Sequence, residues 1–153
     1  MPSILVIEDD DNKLSQLCAL LDEAFSGVDV RTARSLQSGV RQVRAEVPNL
    51  VLLDMTLPNF DATPDDPGGQ TRNFGGREFL KQLDRFDIRV PVIVVTQFIT
   101  FGHGAQAIQL GDLDHELREG FSHNYVGCVY YHTSIHRWKE ELQQLVRTQL
   151  SSC

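Results

Sequence analysis

Three apolar runs, far apart in the chain, each end on a polar residue. Ile4-Leu5-Val6-Ile7 runs into Glu8-Asp9-Asp10, Leu50-Val51-Leu52-Leu53 into Asp54, and Pro91-Val92-Ile93-Val94-Val95 into Thr96. An unbroken apolar run of this length between turn residues is a strand covered on both faces. Segments of helical periodicity lie between the runs, and strands alternating with helices build a parallel sheet. The strands of a parallel sheet all point one way, so the three polar ends gather at its carboxyl edge, where open α/β sheets hold their ligands. Two acids, a lone acid and a hydroxyl in one crevice suit a hard divalent cation together with a phosphoryl group.

The remaining elements follow from period and punctuation. Lys13 to Phe25 sets Leu14, Leu17, Cys18, Leu21 and Phe25 at helical spacing and stops at Gly27. Val28 to Thr32 reads as a short second strand. Ser35 caps a helix running to Glu46, with Leu36, Val40 and Val43 inward. Gly76 to Phe86 is a third helix, burying Phe79, Leu80 and Leu83, and a fourth is expected near Ala105 to Glu119. Tyr125 to Tyr131 reads as the fifth strand, and His136 to Leu150 as an amphipathic helix with Trp138, Leu142, Leu145 and Val146 as its stripe. Five strand–helix alternations fill the 153 residues, so a single domain over residues 1–153 is expected, with no repeat and no linker. Residues 59–75, rich in Pro, Gly, Asp and Asn, exceed an ordinary connection, since loops beyond about 12–15 residues are usually functional or disordered. This insertion leaves from the strand that bears Asp54, so a lid or partner loop is expected there. The stretch from Gln97 to Asn124 is also longer than a simple connection requires.

A net charge of −7 argues against a direct nucleic-acid surface, which carries a basic stripe. No apolar run approaches the ~20 residues that span a bilayer, and Met1-Pro2-Ser3 leads straight into a core strand without a secretory signal. Cys18, Cys128 and Cys153 are odd in number and lack motif spacing, which fits a reducing cytoplasm.

Glu8-Asp9 after the first strand, Asp54 after the third, Thr96 after the fourth, Leu57-Pro58, and Gly76-Arg77-Glu78 opening the third helix together resemble the receiver domain of two-component response regulators. The resemblance is strong over residues 3–58 and 75–97. It implies a flavodoxin-like, doubly wound α/β fold: a five-stranded parallel sheet in order 2-1-3-4-5. It implies Asp54 as phosphoacceptor in a phosphorelay, Thr96 as the residue that contacts the phosphoryl group and switches, and Mg²⁺ held by Glu8, Asp9, Asp54 and the backbone carbonyl of Thr56. Glu8 replaces a more usual aspartate and reaches the metal through water. The partners implied are a histidine kinase or phosphotransfer protein and a downstream effector protein, with a homodimer as a further option and no membrane contact. The output is by protein contact rather than enzymatic.

The resemblance fails at one functional position. Receivers end strand five with a lysine that touches nucleophile and phosphoryl group. Here one alignment places Cys128 there and another Tyr131, and the nearest lysine considered, Lys139, lies inside the last helix. Gln97 stands where a small residue usually follows the threonine, which would narrow access to Asp54. A phosphorylatable receiver is therefore weighed against a pseudo-receiver that docks without being switched; a small phosphohydrolase lacks a carboxylate at Thr56. Acids at strand ends also serve as helix caps, a role open to Asp9 or Asp10. Cys128, His132 and His136, spaced by four, hint at zinc, and Asp61, Asp65 and Asp66 offer acids from the insertion. Gly102-His103-Gly104 is too short for a phosphate loop, and His123 is a turn histidine.

Overall fold

The apolar runs pair side by side, as their two-faced burial requires. In the computed structural model, which describes residues 2–61, 71–72, 74–102, 104–132, 134 and 136–151, the central strands are β1 (Ser3–Ile7), β2 (Asp29–Ala33), β3 (Leu50–Leu53), β4 (Val92–Thr96) and β5 (Tyr125–Tyr130). They form one sheet in the order β2-β1-β3-β4-β5, parallel throughout. Helices α1 (Asp11–Ala24), α2 (Leu36–Ala45), α3 (Gly75–Arg85), α4 (Leu110–Gly120) and α5 (Arg137–Ser151) connect and cover them. This is the flavodoxin-like arrangement expected from the strand–helix alternation.

The period-two alternation of strand side chains divides the core in two. Leu5, Ile7, Val51, Leu53, Val92 and Val94 pack with residues of α2, α3 and α4. Ile4, Val6, Leu50, Leu52, Ile93 and Val95 pack with α1 and α5, where Trp138, Leu142 and Val146 are buried. β1, β3 and β4 are thus buried on both faces, which is why they read as continuous apolar runs.

Local chemistry fixes the helix starts that matter for the edge. The Asp10 carboxylate accepts the N–H of Lys13 at 2.8 Å and caps α1. Ser35 and Ser38 form a reciprocal capping box at α2. α3 begins where Gly76 donates its N–H to the Met55 carbonyl at 2.8 Å. A Cβ at Gly76 would lie 2.8 Å from the Asp54 carbonyl oxygen and 2.9 Å from Met55 Cα. Only glycine lets α3 approach the loop after β3 this closely.

Most element bounds lie within two residues of the sequence reading, and one departs further. The fourth helix does not start near Ala105: Thr100–Phe101 pairs antiparallel with Ile108–Gln109 around a short 3₁₀ turn at Gly104–Gln106. That pairing holds the backbone extended through Gln109, and Leu110 donates to the Ile99 carbonyl at 2.8 Å, so helix begins only at Leu110. The insertion is anchored at both ends, with Leu57–Pro58 pairing antiparallel with Thr71–Arg72. Gln37 donates its N–H to the Asn59 carbonyl, and Ser38 Oγ donates to Asp61 at 2.8 Å. Asp61 is therefore tied to α2, while Asp65 and Asp66 lie outside the described residues. No helix among the described residues is long and apolar enough to cross a membrane.

Candidate functional site

The carboxyl edge of the sheet carries Glu8 and Asp9 from the end of β1, Asp54 from β3 and Thr96 from β4. Asp54 is 6% exposed, and its N–H is held by the Ile7 carbonyl at 3.0 Å, which sets the β3 end beside the β1 end. Its Oδ2 accepts the Thr56 hydroxyl at 3.3 Å. Glu8 is buried and folds back so that its Oε2 accepts the backbone N–H groups of Asp9 and Asp10, both at 3.1 Å. Asp9 remains exposed at the mouth. Its carboxyl is pushed up by burial, with Arg34 opposing and the charges of Asp54, Asp11 and Asp10 adding to the rise. Thr96 is fully buried and its Oγ1 accepts the Phe98 N–H at 3.2 Å. That bond uses a lone pair, so the hydroxyl proton remains free for another acceptor.

A cation completes the pocket, and it comes from an unexpected element. Lys13, on the first turn of α1, is 1% exposed. Its Nζ lies 2.5 Å from Glu8 Oε1, 3.3 Å from Asp54 Oδ1 and 2.6 Å from the Val95 carbonyl oxygen. Apart from this ammonium, Glu8 Oε1 and Asp54 Oδ1 have no hydrogen-bond partner among the described residues. Burial pushes the Glu8 carboxyl up to about 7, with Lys13 pulling it down and Asp54 pushing it further up. The expectation of a site without a cation is thereby corrected. The sequence reading treated Lys13 only as the start of a helix, because a polar residue in a first turn is ordinarily solvated. The signal available was position: a helical Cβ tilts toward the N-terminus, so a long side chain in the first turn of α1 points back at the carboxyl edge.

The two alignments for the end of β5 are also separated. Cys128 pairs with Val94 in mid-strand. It faces α4, beside the bond in which the Tyr125 hydroxyl donates to Asp114 at 2.5 Å. Burial pushes its thiol up. Tyr131 instead follows Tyr130, the partner of Thr96, and donates its own N–H to the Thr96 carbonyl at 2.8 Å. Its buried ring lies 5.9 Å from Lys13 Nζ and packs tilted against Trp138 at 4.7 Å between centroids. Tyr131 therefore occupies the edge position. Cys128, His132 and His136 form no metal cluster among the described residues: Cys128 faces α4, whereas His132 accepts the Ser134 N–H. Gln97 is exposed.

The chain is thus a doubly wound α/β domain with acids gathered at the carboxyl edge of its parallel sheet. Residues 4–115 match the family model described as "Response regulator receiver domain", and the chain belongs to that family. It is 34% identical over 142 residues to an uncharacterized protein, y4jR, of Sinorhizobium fredii, covering 91% of this chain and 93% of the relative. It is 27% identical over 141 residues to the Detocs response regulatory protein DtcB of Enterobacter cloacae, covering 91% and 94%. Among solved structures, the response regulator receiver domain protein from Clostridium thermocellum superposes with a TM-score of 0.64 at 19% identity, covering 99% of this chain and 96% of that one. The phosphorylated cyanobacterial phytochrome response regulator RcpA gives 0.65 at 17%, covering 99% and 96%. At these identities the two structures speak for the fold.

Proposed function

We propose that this receiver accepts a phosphoryl group on Asp54 from a histidine kinase or phosphotransfer protein and signals by contact with a downstream effector protein in the cytoplasm. The observation that carries the reading is Asp54 itself, a carboxylate held at the carboxyl edge between Glu8, Asp9 and a buried ammonium. A carboxylate oxygen of Asp54 attacks phosphorus as the bond from phosphorus to the donor nitrogen breaks, and the donor imidazole leaves with that electron pair. The cost of bringing an anion to an anion falls on the surrounding charges.

The oxygens present suit Mg²⁺. Asp9, Asp54 and the Thr56 carbonyl would supply its hard oxygen ligands, although the described residues hold no preformed cluster of three acids and Lys13 pairs with Glu8 and Asp54. When bound, the ion supplies charge neutralisation for the incoming phosphoryl oxygens. Thr56 donates its hydroxyl to Asp54 Oδ2, and Thr96, whose Oγ1 accepts the Phe98 N–H, would donate its hydroxyl to a phosphoryl oxygen. The pseudo-receiver alternative drew on the missing cation and on Gln97 crowding the pocket. A buried ammonium at Asp54 and an exposed Gln97 weigh against both grounds.

The test is incubation with acetyl phosphate, followed by intact mass. Wild type should gain one phosphoryl group with Mg²⁺ and none with a chelator, and Asp54→Asn should gain none. A wild type that stays unlabelled under all conditions returns the chain to a docking role.

A further inference from the structure

We infer that Lys13, reaching in from α1, is the residue that contacts the phosphoryl group in this receiver, in place of the strand-five lysine whose position Tyr131 fills. The inference rests on Asp54 being the phosphoacceptor and assigns a part of that site which the family pattern leaves empty.

The geometry of the ammonium supports the role. The ammonium donates to the Val95 carbonyl at 2.6 Å and makes ion pairs with Glu8 Oε1 at 2.5 Å and Asp54 Oδ1 at 3.3 Å. The two short contacts come from β1 and β4 and fix the head of the side chain. The long one points at the nucleophile, so it is the contact that can pass to an oxygen of a group carried by Asp54. Neither helix chemistry nor solvation favours a lysine there. The first turn of a helix faces the positive end of its dipole, which disfavours a cation, and the side chain is 1% exposed. Its acceptors are the site's own acids, so the site is what holds it. Tyr131 brings a neutral ring to within 5.9 Å of the ammonium and adds no charge of its own.

In the transfer from acetyl phosphate, an Asp54 oxygen bonds to phosphorus while the bond from phosphorus to the donor oxygen breaks, and acetate leaves with the electron pair. Lys13 keeps its protons throughout and donates a hydrogen bond to the charge that develops. Removing one such donor commonly slows a reaction by about 10²–10³-fold.

The experiment compares wild type, Lys13→Met and the double variant Lys13→Met/Tyr131→Lys. Acetyl-phosphate labelling rates at saturating Mg²⁺ are corrected for the folded fraction from circular dichroism. Mg²⁺ affinity is read from the fluorescence of Trp138, the single tryptophan, whose ring packs against Tyr131. Lys13→Met should label about 10²–10³-fold more slowly while binding Mg²⁺ at least as tightly, and the double variant should recover most of the rate. A lysine that only supports the fold would lower the folded fraction and leave the corrected rate unchanged. Should Lys13→Met not fold, Lys13→Gln, which keeps a donor but loses the charge, should slow labelling in the same direction by a smaller factor, and an unchanged corrected rate there overturns the inference. Wild-type labelling with an equal corrected rate in the Lys13 variant overturns the inference and leaves the Asp54 reading intact. Failure of wild type to label overturns the reading, and the inference with it.

Discussion

At the residue scale, the site is a balance of buried charges. Glu8 and Asp54 face one ammonium, and each has one oxygen with no other described partner. This predicts an unusual pH response. The folded Glu8 carboxyl is raised to about 7 from 4.5, chiefly by burial. Between those values the folded chain holds a proton that the unfolded chain has released. Stability therefore falls as pH rises through that window, since it rises only where the unfolded state binds more protons. Thermal unfolding across the window should show this fall, and Glu8→Gln should flatten it; an unchanged slope in the variant would assign the effect to other groups. Gly76 is the second residue to test. Its absent Cβ is what lets α3 meet the loop after Asp54, with backbone atoms at 2.8 and 2.9 Å that cannot step aside. Gly76→Ala should cost about 1–3 kcal/mol in denaturant unfolding. Glu8, Asp9, Asp54 and Thr96 were legible in the sequence because each ends an apolar run. Lys13 was not, because nothing in a linear pattern marks a first-turn lysine as buried; only the Cβ direction and the neighbouring acids do.

At the element scale, the edge of the sheet is set by how the helices begin and end. Asp10 caps α1 and thereby places Lys13, so Asp10→Ala should cost about 0.5–2 kcal/mol of stability. Asn124 joins α3 and β4 to β5. Its buried amide oxygen accepts the Val90 N–H at 2.9 Å, and its Nδ2 donates to the Ile88 carbonyl at 3.1 Å. Asn124→Ala strands a buried N–H and should cost about 1–3 kcal/mol, read by chemical denaturation; a smaller loss would mean water replaces the amide. The strands were readable because two-faced burial leaves a continuous apolar signature. The start of α4 was not, because Thr100–Phe101 and Ile108–Gln109 pair with each other across nine residues, a tertiary event that overrides the helical tendency of Ala105 to Glu119. The lid role expected for residues 59–75 falls largely outside the described residues, though both ends of the segment are tied down beside α2 and α3.

At the scale of the whole molecule, one sheet separates two apolar layers and brings all its chemistry to one edge. The order 2-1-3-4-5 sets β1 between β2 and β3, so the acids of β1 stand next to Asp54, and β4 brings Thr96 and the Val95 carbonyl to the other side. Tyr131 stands at the end of β5, and the buried cation of the crevice comes from α1. The central claim is that Asp54 receives the phosphoryl group. Its most direct measurement is borohydride reduction after acetyl-phosphate labelling with Mg²⁺, which converts an aspartyl phosphate to homoserine, followed by peptide mass mapping. The account predicts homoserine at position 54 alone, and none when Mg²⁺ is chelated. Homoserine at another acid, or a phosphoryl group mapped to a histidine with Asp54 untouched, would contradict it.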